Sequence, residues 1–200
     1  MSKKSTPPTA NFTVGPFFPA YFVEAGCNDL TRAGTNTAKG QRVLLCGRVT
    51  DSDNEPASNV ILEIWQADAN GIFRHPSDPR LPEADPGFFG WGRTLTDQQG
   101  WYRFVTVMPG AQGGGNGAPR LPHINVMLLG SGIMRRLVTA VFFGDEAETL
   151  RDPVLRCVTD VTARCRLFAV RDPGLDCESA QAFRFDIVLR GQRETPFFLD

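Results

Sequence analysis

The chain is short of the residues that metals and nucleophilic chemistry require: two histidines and two tyrosines in 200 residues, with five cysteines and no Cys-x-x-Cys pair. So few ligands exclude a His-rich metal cage built by this chain alone, since three or four protein ligands are usual. Charge of either sign is not in excess. Lys and Arg number 21 against 22 Asp and Glu, a formal net charge of −1. That balance gives no electrostatic footprint for nucleic acid or an anionic membrane. No stretch approaches the roughly 18 apolar residues of a membrane span. Met1-Ser-Lys-Lys-Ser-Thr-Pro-Pro8 has charge with no apolar run behind it, so it does not read as a signal peptide. Without an export signal, the odd set Cys27, Cys46, Cys157, Cys165 and Cys177 reads as reduced thiols of a cytoplasmic protein.

What the chain has is turn formers and apolar residues. With 20 Gly, 15 Pro and 42% hydrophobic content, it has the makings of many short strands around one sizeable core. Residues 1–41 read as an arm. Phe12, Phe17, Phe18, Tyr21 and Phe22 are costly to leave in water, so the arm should pack on its own core or on a neighbouring chain. From Arg42 the pattern turns to β. Val43–Val49, Val60–Trp65, Trp101–Val107, His123–Leu129, Val138–Phe143, Leu167–Val170, Phe183–Leu189 and an edge strand Glu194–Leu199 form the expected series. Asp145–Arg151 and Thr159–Arg164 are expected as short helical turns. The expected fold is all-β: a two-sheet β-sandwich core over 42–200, with long connecting loops and an N-terminal arm. Ala67–Thr96 and Pro109–Pro122 read as long irregular loops, and loops of that length tend to border a site.

Several motifs have bland readings that outweigh the sharp ones. Asp51-x-Asp53-x-Glu55 starts like a calcium loop, but Pro56 stands where Gly is needed and Leu62 where Glu is needed, so it reads as a hairpin turn. Gly113–Gly117 lacks the Gly-Lys-Ser/Thr of a phosphate cradle and reads as a flexible loop. Arg135-Arg136 is too short for a nucleic-acid patch. His75, beside Pro76, reads as an exposed loop histidine. His123, at the start of an apolar strand, reads as a hydrogen-bonded structural histidine.

Ile64-Trp-Gln-Ala-Asp-Ala-Asn-Gly71, Gly92-Arg-Thr-Leu-Thr-Asp-Gln-Gln-Gly-Trp-Tyr-Arg-Phe104, Pro109-Gly110 and Leu121-Pro-His-Ile-Asn125 together resemble the intradiol ring-cleavage dioxygenases. The resemblance runs from the Thr13-Val-Gly-Pro-Phe17 arm to Phe183-Arg-Phe-Asp-Ile187 and Pro196-Phe-Phe198, nearly the whole chain. It implies a ferric-iron oxidoreductase of aromatic catabolism, inserting oxygen between the two hydroxyl-bearing carbons of protocatechuate to give 3-carboxy-cis,cis-muconate. Catalytic members hold the iron with two Tyr and two His; hard Fe(3+) favours anionic oxygen, and a phenol ionises on binding it. At the matching positions this chain has Phe73, Gln112, His123 and Asn125, so one ligand of four remains. Tyr21 and Tyr102 stand at neither tyrosine position. The resemblance therefore implies a non-catalytic alpha subunit, inactive alone and binding no metal, in a hetero-oligomer of alpha–beta pairs whose homologous beta subunit carries the iron. Thr13, Gly15, Pro16 and Phe17 match an arm that packs on the partner subunit and lines the aromatic substrate's pocket at the shared interface. Arg120 matches an arginine that balances charge near substrate in catalytic chains, and without iron reads as a salt-bridge remnant or loop anchor. The alternative is a stand-alone β-sandwich binding module without a catalytic partner.

Overall fold

The computed structural model describes residues 15, 18–113, 119–133, 135–144, 150–177 and 179–198. Two short strands, β1 (Arg32–Ala33) and β2 (Asn36–Thr37), form a small ribbon ahead of the main sheets. These sheets use β3 (Arg42–Thr50), β4 (Val60–Gln66), β5 (Trp91–Leu95), β6 (Trp101–Val107), β7 (His123–Gly130) and β8 (Leu137–Phe142). Two single-turn helices, α1 (Pro153–Cys157) and α2 (Val161–Cys165), lead to β9 (Val170–Arg171), β10 (Gln181–Arg184) and β11 (Ile187–Val188).

Alternation in sequence becomes two faces in space. Val43, Leu45 and Val49 of β3 and Tyr102 and Phe104 of β6 point one way. Leu62 and Ile64 of β4 and Ile124, Val126 and Leu128 of β7 point the other, and all are buried in one cluster. The first sheet centres on β3, which pairs antiparallel with β6 and parallel with both β10 and β11. The second runs β5-β4-β7-β8, antiparallel throughout. The expected all-β, two-sheet architecture is thus observed.

Details differ where backbone geometry overrides pattern. Trp91–Leu95, expected inside an irregular loop, is the edge strand β5, paired with β4 from Ile61↔Leu95 to Trp65↔Trp91. Phe183–Leu189, expected as one strand, is broken at Phe185. The Phe185 N–H bonds to the Cys46 carbonyl, while its own carbonyl turns inward to accept the Tyr102 hydroxyl at 2.5 Å. Gly47 makes this possible, because a Cβ there would sit 1.9 Å from that carbonyl oxygen. Of Leu167–Val170 only Val170 lies in a strand, β9, while Phe168 bridges to Phe142; of the expected Glu194–Leu199 a bridge from Phe198 to Val138 is formed, and Leu199 lies outside the described residues. The helical turn expected at Thr159–Arg164 lies at Val161–Cys165, capped by Asp160. Residues 145–149 of the other expected turn lie outside the described residues. The turn after β3 is built as expected: Asp51 Oδ1 accepts from the N–H groups of Asp53 and Glu55.

Leu30 and Thr31 are fully buried, and the Leu30 N–H bonds to the Val105 carbonyl at 2.8 Å. The expected arm is therefore tied to this chain at its C-terminal end. None of the five cysteines is in a disulfide. Among the described residues no helix is long and apolar enough to cross a membrane.

Candidate functional site

The Trp-Gln-Ala-Asp segment at the end of β4 organises the site. Gln66, fully buried, donates to the Ala67 and Val107 carbonyls and accepts from the Thr106 hydroxyl, locking the ends of β4 and β6 together. Asp68, also buried, accepts from the N–H groups of Asn70 and Ile72 through Oδ1 and of Asp85 through Oδ2. Its carbonyl takes the N–H of Gly110. The two loops interlock there, for a Cβ on Gly110 would lie 2.4 Å from the Gly71 nitrogen. This crossing brings Phe73 and Gln112 to the same face of the second sheet as the odd-numbered residues of β7.

On that face Phe73 packs on Trp65, ring centroids 4.9 Å apart, and Trp65 is the cross-strand partner of Asn125. The Asn125 amide donates to the Trp65 carbonyl at 3.2 Å. Gln112 is held by paired backbone bonds to Arg120, both 3.1 Å, which pinch the loop between them. His123 is 2% exposed. Its Nδ1 lies 2.7 Å from the Leu121 carbonyl, so Nδ1 carries the proton and donates. Nε2 is then a lone pair, and the Gln112 amide approaches it at 3.5 Å as donor. Burial pushes the imidazole below its ordinary pKa, against the Leu121 bond, so it is neutral at pH 7. His123 is thus buried and hydrogen-bonded within the chain. Arg120 Nε donates to Asp152 at 2.9 Å. That carboxylate is fully buried, also accepts from the Leu121 and Val154 N–H groups, and caps α1.

Neither tyrosine supplements this cluster. Tyr102 is enclosed in the core, where burial raises its pKa well above the ordinary phenol value and its hydroxyl is committed to Phe185. Tyr21 is 74% exposed in the arm. Among the described residues no group of three His, Cys, Asp or Glu stands close enough to hold a metal ion. Both long loops do border one cleft, of about 430 Å³, lined by Trp65, Phe73, His75, Asp78, Arg80 and Gly113. The Asp78 carboxyl is exposed to desolvation that raises its pKa, but the Phe73 and Arg80 N–H groups and the Arg80 guanidinium outweigh it and hold it down. His75 is exposed, as its Pro-flanked position predicts.

A family model described as Dioxygenase matches residues 14–191. Over 202 residues the chain is 38% identical to the protocatechuate 3,4-dioxygenase alpha chain of Burkholderia cepacia, covering 95% of this chain and 96% of that one. The chain belongs to the intradiol ring-cleavage dioxygenase family. It is also 33% identical over 201 residues to the protocatechuate 3,4-dioxygenase alpha chain of Pseudomonas putida, covering 96% of each. To the beta chain from Burkholderia cepacia it is 38% identical over 174 residues, 84% of this chain and 74% of that one. Among solved structures, the intradiol ring-cleavage dioxygenase from Tetranychus urticae superposes with a TM-score of 0.61 at 17% identity, over 90% of this chain and 94% of that one. The 3-chlorocatechol 1,2-dioxygenase from Rhodococcus opacus 1CP gives 0.62 at 19%, over 90% and 71%. These two likenesses concern the fold.

Intradiol dioxygenases work through ferric iron, and the groups at the matching positions here do not fit it. Phe73 has a ring and no oxygen, the Asn125 amide is turned to the Trp65 carbonyl, and the one imidazole lone pair faces the Gln112 amide. An amide carbonyl is also a poor replacement for the phenolates that a trivalent ion favours. Sequence reasoning brought together Phe73, Gln112, Arg120, His123 and Asn125, and four of these surround the end of β4. It missed two parts of the arrangement: Trp65 as the surface Phe73 packs on and Asp152 as the partner of Arg120. Asp152-Pro153 was readable as a helix start, Asp at the cap and Pro in the first turn. Of the expected arm residues Gly15 is exposed. Thr13, Pro16 and Phe17 lie outside the described residues.

Proposed function

We propose that the chain is the non-catalytic alpha subunit of a cytoplasmic protocatechuate 3,4-dioxygenase, supporting cleavage of protocatechuate to 3-carboxy-cis,cis-muconate at a ferric site on a homologous beta subunit. Overall identity does not choose between the subunit types, since it is 38% to an alpha chain and 38% to a beta chain. The residues at the four matching positions support the alpha reading. The observation that carries the reading is the Gln112–His123 contact: the last imidazole of the set is closed off by an amide donor, beside a phenylalanine and an asparagine. In this reading residues 13–17 line the partner's pocket. Phe17 supplies a ring to pack on the substrate, and Gly15 lets backbone approach closely. The iron, when bound by the beta chain, activates the catechol toward oxygen. This chain contributes shape, exclusion of water and orientation.

Producing the chain alone and together with a homologous chain that keeps Tyr, Tyr and His-x-His tests this. The isolated chain should take up no stoichiometric ferric iron and show no ring cleavage, and the pair should do both. A red-brown, iron-loaded isolated chain overturns the reading. A monodisperse monomer that ignores the beta chain would instead fit a stand-alone binding module.

A further inference from the structure

Arg93 is placed by β5 directly opposite Glu63 of β4. Its Nε donates to Glu63 at 2.6 Å and its Nη2 pairs with the same carboxylate, leaving Nη1 to donate to the Phe22 backbone carbonyl at 2.8 Å. The guanidinium carbon lies 3.9 Å from the centre of the Phe22 ring and 5.0 Å from that of Trp91. The Arg93 backbone N–H reaches the Cys27 carbonyl at 2.9 Å. With Arg93 and Glu63 side chains only 19% and 12% exposed, this is a built clamp and not a loose surface pair. A planar fork can hold a carboxylate on one edge and a carbonyl on another, which an ammonium cannot do in one geometry. What it grips is the arm. Phe22 closes a turn onto the Pro19 carbonyl at 2.8 Å, and Phe18 stacks on Phe22 with ring planes 12° apart.

We infer that Arg93 is a positioning residue for the reaction in the partner subunit: it sets the point on the sandwich from which the arm reaches the shared pocket. The inference rests on the arm reading above. Phe17 stands five residues before Phe22, so its reach from the clamp is at most about 18 Å. Releasing Phe22 removes the fixed origin, and the arm residues then have to find the pocket from a larger volume. That costs binding of substrate and leaves chemistry at the iron unchanged.

The test uses the alpha–beta complex with four forms of this chain: wild type, Arg93→Ala, Arg93→Lys and a truncation that starts at Phe18. KM and kcat per iron for protocatechuate are measured together with iron content and assembly. Truncation and Arg93→Ala should each raise KM by about tenfold with kcat per iron within about twofold, and combining them should add nothing further. Arg93→Lys keeps a charge opposite Glu63, so folding is not at stake, and should raise KM by a smaller factor. If truncation raises KM while both Arg93 variants match wild type, the inference falls and the arm reading stands. If the two effects add, Arg93 acts by another route and the inference falls. If truncation leaves KM unchanged, the arm reading itself fails and takes the inference with it. A merely structural Arg93 would lower the yield or iron content of the complex without moving the KM of what assembles.

Discussion

Around Gln112, His123 and Asn125 polar groups meet partners inside this chain, whereas at Arg93 a half-buried ion pair grips a segment that carries an exposed ring. Gln112 faces His123, Asn125 faces the Trp65 carbonyl and Arg120 faces Asp152. Near the anchor Tyr21 is 74% exposed and Phe89 53%. The first region is held by contacts within the chain. The second presents apolar surface that gains by being covered. Two departures from a plain sandwich thus point in opposite directions, one toward stability and one toward a partner.

The comparison can be broken by experiment. Asp152→Ala should have the largest effect, about 3–5 kcal/mol in urea unfolding, because it strands Arg120 and the Leu121 N–H and uncaps α1. Assembled complex carrying it should keep its KM; a KM effect instead would make Arg120 part of the working site. Acid comes next. Burial, opposed by the Leu121 bond, holds the folded His123 pKa below its unfolded value near 6.5. As pH falls through that value the unfolded chain takes the proton first, so this residue's contribution to stability is lost between the unfolded and folded pKa values. His123→Gln should flatten that part of the stability-against-pH curve, and an unchanged slope would place the acid sensitivity elsewhere. Gln112→Ala should cost at most about 1 kcal/mol, the contact being long at 3.5 Å. Tyr21→Ala should change the unfolding free energy of the isolated chain by no more than about 0.5 kcal/mol. It should nevertheless weaken association with the beta chain in an analytical ultracentrifugation titration; equal association would show that this ring is no part of the interface.

Much of the fold was legible. Strands β6 and β7 were visible because mainly one face is buried, which writes a period of two into the side chains, and β3, β4 and β8 because they are short apolar runs, buried in part on both faces. Strand β5 was not, since Trp91-Gly-Arg-Thr-Leu95 has one buried position, Gly92, and that residue carries no hydrophobic signal. The break at Phe185 was also invisible. It arises from a carbonyl that enters the space left by Gly47, a contact between residues far apart in the chain. At the site, Phe73, Gln112, His123 and Asn125 were found by their place in a familiar order of motifs. Their present partners could not be, because hydrogen bonds between loops leave no periodic trace. Arg93 was missed because β5 was not read as a strand, so its place opposite Glu63 did not show.

By itself the sequence pointed to a one-core, all-β chain, and its resemblance to the family put Phe73, Gln112, His123 and Asn125 where catalytic members hold iron. Position and not number decides the second point: the chain has two His and two Tyr in all, but a phenol or imidazole missing from its place cannot be restored by folding. Tertiary structure decided what the remaining groups do: it turned the His123 lone pair toward Gln112, gave Arg120 to Asp152, and placed Arg93 under Phe22. Those outcomes depend on where separate strands and loops meet, and that is settled by packing across the whole sandwich.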